Sequence, residues 1–525
     1  MRRLQLHNYA EAMLLIGLAA ACYILFFHRL GQMGLIGPDE PRYATVAREM
    51  YLTGDYVTPR IHGVPWLEKP PLMYWGAALG YALFGVSEWG ARFPSALGAT
   101  IAVFAVYAIA RRLWSRATAA FAALTMASSV GFFAYARAAS MDMPLTACLT
   151  VALMFFLNGY TSAEPARRWW MYGFYAMLGL GSLAKGPVAF VLPASSILAF
   201  LAAGKKLKEW RSLRPEGLLI ALAVAAPWYV ACAWSNGYEF IDTFFVNHNI
   251  LRYVSTVHGH SRPIYFYLPV FLLLSFPWTF LLIPVFSRRW TPVERLLAWW
   301  WVIPVAVFSF SGSKLTGYIL PAVPAVALMC AQELWRPSSR TFKIAAFFEA
   351  GTLAFIGVAF GFFGSTLNID PHVNGLLIVG VTGTLAAMLV VTAIWLTPIV
   401  LGGINLTAMT LLVLAATNLV LARFDRTETM RPWGNALDAI VTPTEPVCLY
   451  KPQRWMEYGM LFYRESGTRT FNSAEELGPL AARGPQMLCI TEDASLDEVN
   501  HLPNVDIEIV QTIGNQIAFV ARPSR

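Results

Sequence analysis

Residues 37–75, GPDEPRYATVAREMYLTGDYVTPRIHGVPWLEKPPLMYW, are the only long polar interruption in the first third of a very apolar chain. Two acidic features stand out there, the adjacent pair Asp39-Glu40 and the Glu68 of a Glu-Lys-Pro-Pro turn. Carboxylates placed beside a reacting group serve as general base or orienter, and Arg42 and Lys69 add cations suited to holding a phosphate. A second carboxylate, Asp142 in ARAASMDMP, falls at the end of an apolar segment, where it either faces a polar cavity or caps the helix that begins at Met143-Pro144. Lys185 in SLAKGPVAFVLP either snorkels to the interface or neutralises a lipid phosphate. In SGSKLTGYILP, Lys314 and Tyr318 suit a head-group pocket as point charge and hydroxyl donor, or else form an ordinary interfacial belt. Residues 236–267 concentrate His248, His258 and His260 with Arg252 and Arg262. Three histidines alone are a weak metal signal. Facing Asp39, Glu40 and Glu68 they become a carboxylate–imidazole set for zinc or manganese; the plain alternative is interfacial decoration.

These groups need elements to position them. Asp39 is expected to cap a short helix with Pro41 in its first turn, running to about Tyr51 and stopping near Gly54. Hydrophobic residues make up 57% of the chain, charged residues 13%, and mean hydropathy is +0.52, outside the range of soluble globular domains. Spans of about 20 apolar residues are expected near 11–28, 92–110, 117–135, 143–160, 169–184, 187–203, 216–234, 264–286, 293–310, 317–334, 343–363, 374–393 and 403–422. Leu72–Phe84 is short for a span and reads as lying along the interface. Basic residues occupy alternate loops (Arg2-Arg3; Arg111, Arg112, Arg116; Arg167-Arg168; Lys205 to Arg214; Arg288-Arg289; Arg336 to Lys343). By the positive-inside rule those loops are cytoplasmic, and the N-terminus with them. The first span lacks a small-residue cleavage site and reads as an anchor.

The net charge of +8 therefore belongs to membrane topology and not to nucleic-acid binding, since residues 425–525 are net acidic. That tail alternates strand and helix, predicting a small α/β domain with a mainly parallel sheet and a final hairpin at Gly514-Asn515. The expected division is a membrane domain, 1–423, and an external α/β domain, 424–525, to which no chemistry is assigned. Cys22, Cys148, Cys232 and Cys330 sit in spans as small apolar residues, while Cys448 and Cys489 are free to pair in an oxidising compartment.

Compartment then constrains function. Asp39, Glu40, Glu68, Lys69, Asp142, Lys185, His248, His260 and Lys314 all fall on the external side, where nucleotide donors are absent. An enzyme built this way takes an activated group from a lipid carrier. A transporter would instead place charges near the midplane and show paired repeats, and no repeat is evident.

Asp39-Glu40-x-Arg42-Tyr43, Gly54-Asp55, Glu68-Lys69-Pro70-Pro71 and Ser313-Lys314-Leu315-x-x-Tyr318 together resemble the GT-C integral-membrane glycosyltransferases. The nearest branch is the bacterial aminoarabinose transferases of lipid A, related to protein O-mannosyltransferases. The resemblance spans residues 1–423. It implies a polytopic α-helical protein of the bacterial inner membrane, acting as a monomer. Its expected reaction transfers sugar from undecaprenyl phosphate to a lipid, glycan or protein acceptor on the periplasmic side. It further implies Asp39 as catalytic carboxylate with Asp142 matching a second-loop carboxylate. A divalent ion (zinc, manganese or magnesium) would lie between Glu68 and a histidine, His248 with His260 as rival. Lys69 and Tyr318 would touch the carrier phosphate, then Arg42 and Arg252. Pro41 and Trp66-Leu67 depart from that branch's usual Thr and Tyr-Phe, which leaves sugar and acceptor open.

Overall fold

The computed structural model describes residues 2–254, 262–333, 339–363, 374–395, 397–415, 425, 427–442, 445–464 and 467–524. It is a multi-helix membrane architecture with a small sheet domain at its C-terminal end. The first helix, α1 (Arg2–Cys22), leads through a π-helical turn to the polar stretch. There α2 (Asp39–Thr53) ends at Gly54, as expected. Its N-cap is Pro38, however, and Asp39 is already helical with no capping bond. The Asp39 carboxylate is instead taken by Arg42, one turn along, which removes it from capping duty. A two-stranded ribbon, β1 (Arg60–Ile61) with β2 (Val64–Pro65), precedes α3 (Leu72–Phe84). That 13-residue helix is too short to cross a membrane by itself.

Helices α4 (Glu88–Leu113), α5 (Arg116–Ala127), α6 (Val130–Ala136), α7 (Asp142–Thr161), α8 (Ala166–Lys185), α9 (Val188–Ala203) and α10 (Leu218–Phe240) follow. Four described helical stretches are long and apolar enough to span alone, and six if each of two bent pairs is one span. Two of the expected continuous spans are broken. Residues 117–135 bend by 66° between α5 and α6, and 264–286 by 102° between Ile264–Leu274 and Trp278–Phe286. The causes are local. Ser128 and Ser129 turn their hydroxyls back onto the Leu124 and Thr125 carbonyls, which bends helices, and Pro277 has no N–H to continue the second ladder. The breaks satisfy each other: Val130 N donates to Phe276 O at 2.9 Å, and Trp278 Nε1 donates to Ser128 Oγ at 3.0 Å. Inside a bilayer an unmet backbone group is expensive, so the two bends stabilise each other as a pair.

A third break matters more for the site. Gly237 has φ +63°, open to glycine at little cost, and it kinks α10 one turn before the helix passes into a π-helical run, Ile241–Leu251. The tail forms a five-stranded sheet of order β4-β3-β5-β7-β6, with β3 (Val447–Tyr450), β4 (Thr468–Phe471), β5 (Met487–Glu492), β6 (Val505–Ile513) and β7 (Gln516–Pro523). β3 pairs parallel with β4 and β5, while β7 pairs antiparallel with both β5 and β6. The final hairpin is as expected, but the sheet is evenly mixed and not mainly parallel, because the last strand returns by a tight turn and inserts beside β5. Cys448 and Cys489 face each other across β3 and β5 and form a disulfide.

Candidate active site

One cavity of about 640 Å3 collects side chains from well-separated stretches of chain. Asp39 and Tyr43 come from α2; Glu68 and Lys69 from the turn before α3; Ser140 and Asp142 from the start of α7; Lys185 from the α8–α9 junction. His248, Arg252 and Tyr253 descend from the run that follows the Gly237 kink, and Ser311 and Tyr318 close the far side. Pro187, Val188, Val191, Phe244, Phe245, Val307 and Phe308 make the remaining wall apolar. A lining that combines cations and carboxylates with extensive hydrocarbon suits an amphiphile with an anionic head.

The polar end is organised as linked ion pairs. Arg42 Nη2 donates to Asp39 Oδ1 at 2.5 Å, and Arg42 Nη1 stands 3.8 Å from Glu68 Oε2. Asp39 keeps 52% of its side-chain surface while Arg42 keeps 8%, so the carboxylate is presented and the guanidinium is buried behind it. Across the cavity Lys185 Nζ bonds Asp142 Oδ1 and lies 4.3 Å from the centre of the Tyr318 ring. Asp142, whose N-cap is Met141, does not cap α7; its Oδ2 accepts from Ser140 Oγ at 3.2 Å. A β-carbon on Gly317 would stand 2.5 Å from Asp142 Oδ2, so any larger residue there has to displace the Asp142 carboxylate.

Lys69 retains some accessible surface, yet burial pulls its ammonium down to about 7; the Arg252 charge adds to this and Glu68 opposes it. The Tyr43 phenol is pushed up by burial and then by Asp39, so it stays a neutral donor.

His248 Nε2 is 3.5 Å from Glu68 Oε1. Among the described residues no cluster of three or more His, Cys, Asp or Glu forms. The pair is thus short of the three or four protein donors of a zinc centre. Glu68 alone supplies the kind of donor that a magnesium-type ion takes beside substrate phosphate and water, whereas the His248 imidazole is a donor for softer ions such as zinc. His258 and His260 lie outside the described residues.

Three expected site residues stand elsewhere. Glu40 is buried and points away from the cavity: it accepts from Arg92 Nη2 at 2.7 Å, Ala139 N at 2.6 Å and Ile36 N at 2.9 Å. Arg92 also donates to the Leu30, Met33 and Gly34 carbonyls, so the pair fastens two loops together. Arg42 does not line the cavity; it acts behind Asp39 and Glu68. Lys314 is 7% exposed and turns back onto its own loop, donating to Ser311 O at 2.5 Å, so it does not line the cavity. Tyr43 and Ser140 were not anticipated in the site. Arg92 was legible in principle, since an arginine inside an apolar span calls for a buried partner.

With this geometry in hand, the class is clear: a GT-C-like membrane fold carrying a carboxylate-and-cation cavity. The model of the dolichyl-phosphate-mannose-protein mannosyltransferase family matches residues 68–230. The chain is 33% identical over 325 residues to the undecaprenyl phosphate-alpha-4-amino-4-deoxy-L-arabinose arabinosyl transferase 2 of Pseudomonas fluorescens, covering 60% of this chain and 55% of that one. To the corresponding transferase of Pseudomonas savastanoi it is 33% identical over 334 residues, 62% of each. The aligned part is thus between 55% and 62% of these relatives' length. Its fold is that of the crystal structure of ArnT from Cupriavidus metallidurans bound to undecaprenyl phosphate, with TM-score 0.79 at 24% identity over 96% of this chain and 97% of that one. The likeness to aminoarabinose transferases drawn from the first-loop motifs therefore holds.

Proposed function

We propose that this chain is a glycosyltransferase that moves a sugar from polyprenyl (undecaprenyl) phosphate to an acceptor of the lipid A type, at the periplasmic face of a bacterial inner membrane. The observation that carries this reading is the cavity itself, where a presented carboxylate, three cations and a continuous apolar wall meet. In an inverting transfer the acceptor oxygen bonds to the anomeric carbon as the bond from that carbon to the phosphate oxygen breaks, and the electron pair leaves with the carrier phosphate. Lys69, Arg252 and Tyr318 surround the place where that charge develops. Asp39, steadied by Arg42, aligns the acceptor or removes its proton, and Asp142 with Lys185 borders the same space. A divalent ion would be held by Glu68 and His248 and would supply further charge for the phosphate. The relatives' names and the carrier bound in the ArnT crystal structure support this donor.

The same reading includes thirteen spans with a cytoplasmic N-terminus, a membrane domain over 1–423 and a periplasmic domain over 424–525, working as a monomer. The mannosyltransferase family match keeps a protein hydroxyl as the rival acceptor. The test is to give purified protein an undecaprenyl-phosphate sugar with lipid A, and separately with a hydroxyl-rich peptide, and to measure free carrier and modified acceptor. Carrier release with sugar on lipid A is expected; an intact sugar–phosphate bond under all conditions overturns the proposal.

A further inference from the structure

The tail domain contributes no lining residue to the cavity, yet it reaches the site. Its helix Arg454–Tyr463 lies along α2. Arg48 of α2 donates to the Phe462 carbonyl at 2.7 Å and the Leu461 carbonyl at 3.1 Å, meeting the last carbonyls of that helix, which have no partner within it. Tyr463 Oη accepts from Leu35 N at 2.9 Å and donates to Glu88 at 3.0 Å. Fixed at this end, the helix sets Tyr458 with its ring centre 5.6 Å from the Arg42 guanidinium. Tyr43 at 5.2 Å and Trp66 at 5.5 Å supply the other rings, and Trp66 meets Tyr458 edge-on. Arg42 is thus enclosed by three aromatic faces while its Nη2 holds Asp39.

We infer that Tyr458 is a positioning residue for the reaction: the tail domain locks the Arg42 guanidinium through Tyr458 and so fixes the direction in which Asp39 faces the cavity. This rests on the transferase reading of Asp39. Aromatic rings attract a guanidinium over their faces, and a buried guanidinium with two ring walls in place of three has more orientations open to it. Misplacing a reacting carboxylate costs turnover and leaves the carrier's own contacts intact.

The experiment compares Tyr458→Phe, Tyr458→Leu and Arg42→Lys, each in full-length protein, with the double variant Tyr458→Leu/Arg42→Lys. Tyr458→Phe keeps the ring and is expected to match wild type. Tyr458→Leu keeps an apolar side chain on Trp66 and is expected to lower kcat about tenfold with KM for the donor and thermal midpoint unchanged. In the Arg42→Lys background the same change should have no further effect on kcat, because Lys cannot hold the same geometry. Hydrogen exchange of the amides in the second turn of α2, the first that bond back within the helix, is read alongside, and should quicken in Tyr458→Leu only when Arg42 is present. Equal losses with either residue at position 42, or a loss in Tyr458→Phe matching that in Tyr458→Leu, overturn the inference. Should wild type release no carrier at all, the transferase reading fails, while the Arg42-dependent exchange still decides the clamp.

Discussion

Lys69 gives the sharpest quantitative handle on the site. Its ammonium is pushed down to about 7 by burial and by Arg252, with Arg42 and Lys185 acting in the same direction and Glu68 against them. At neutral pH the empty cavity therefore holds Lys69 about half protonated. An anionic phosphate favours the charged form and raises that value, so binding takes up a proton. The sign follows: affinity is full well below pH 7 and falls as pH rises through the free-state value. The expected weakening is about twofold at pH 7, about tenfold at pH 8 and about a hundredfold at pH 9, until the bound-state value is reached. Each decade corresponds to about 1.4 kcal/mol. The ligand should be a polyprenyl phosphodiester, which lacks the second phosphate ionisation near pH 6. Calorimetry in detergent with a chelator present, in two buffers of different ionisation enthalpy, reads affinity and proton uptake together. Uptake should be near half a proton at pH 7 and approach one at pH 8. Lys69→Arg stays charged across this range and should give a flat profile. Constant wild-type affinity from pH 7 to 9, or an equal slope in Lys69→Arg, would refute the assignment of Lys69 to the phosphate.

Other substitutions separate chemistry from scaffolding. Asp39→Asn should abolish transfer with an unchanged thermal midpoint, and full activity there would remove Asp39 from the mechanism. Glu40→Ala should do the reverse: stranding buried Arg92 costs about 3–5 kcal/mol, visible as a large drop in thermal midpoint, and a dead enzyme with normal stability would return Glu40 to the chemistry. Gly317→Ala pushes a methyl against Asp142; overpacking of about 1–3 kcal/mol should displace that carboxylate and lower kcat by about one to two decades, whereas wild-type turnover would show that the position of Asp142 does not matter. Chelation and His248→Ala should reduce transfer to the same level without adding, with added magnesium or manganese restoring wild type only. A chelator that leaves transfer untouched would discard the ion.

Much of this was legible because membranes simplify the problem. Long apolar runs marked the membrane helices, and the residues that converge on the cavity were legible as the polar groups between those runs: Asp39, Glu68 and Lys69 in the polar stretch, and Asp142, His248, Arg252 and Tyr318 in later loops. The strand and helix order of the tail was also readable. Hydropathy alone does not distinguish a straight span from a bent one, however. The breaks at Ser128-Ser129 and Pro277 depend on each other's hydrogen bonds, made between residues some 150 positions apart. Charge type misled at Glu40 and Lys314. Two adjacent carboxylates look alike in sequence, and only the placement of Arg92 shows that Glu40 ties loops together while Asp39 faces the cavity.

The tail domain is the clearest case of what one-dimensional reading cannot reach. Its sequence contains no nucleophile arrangement or phosphate loop, and on that basis it was given no role in chemistry. Yet Arg48 contacts Phe462 across 414 positions, Gly34 contacts Asp425 across 391, and Arg431 donates to the Gln32 carbonyl. None of these contacts has a local signature, since each needs only one ordinary side chain on one side and a backbone group or carboxylate on the other. Together they rivet the sheet domain to the loop that bears Asp39. A domain so attached limits how far α2 moves, and its removal should loosen the site even where every cavity-lining residue remains. Limited proteolysis within the tail, followed by carrier-release assay on the nicked protein, tests this: retained turnover after loss of the Arg454–Tyr463 helix would mean that α2 holds Asp39 in place unaided.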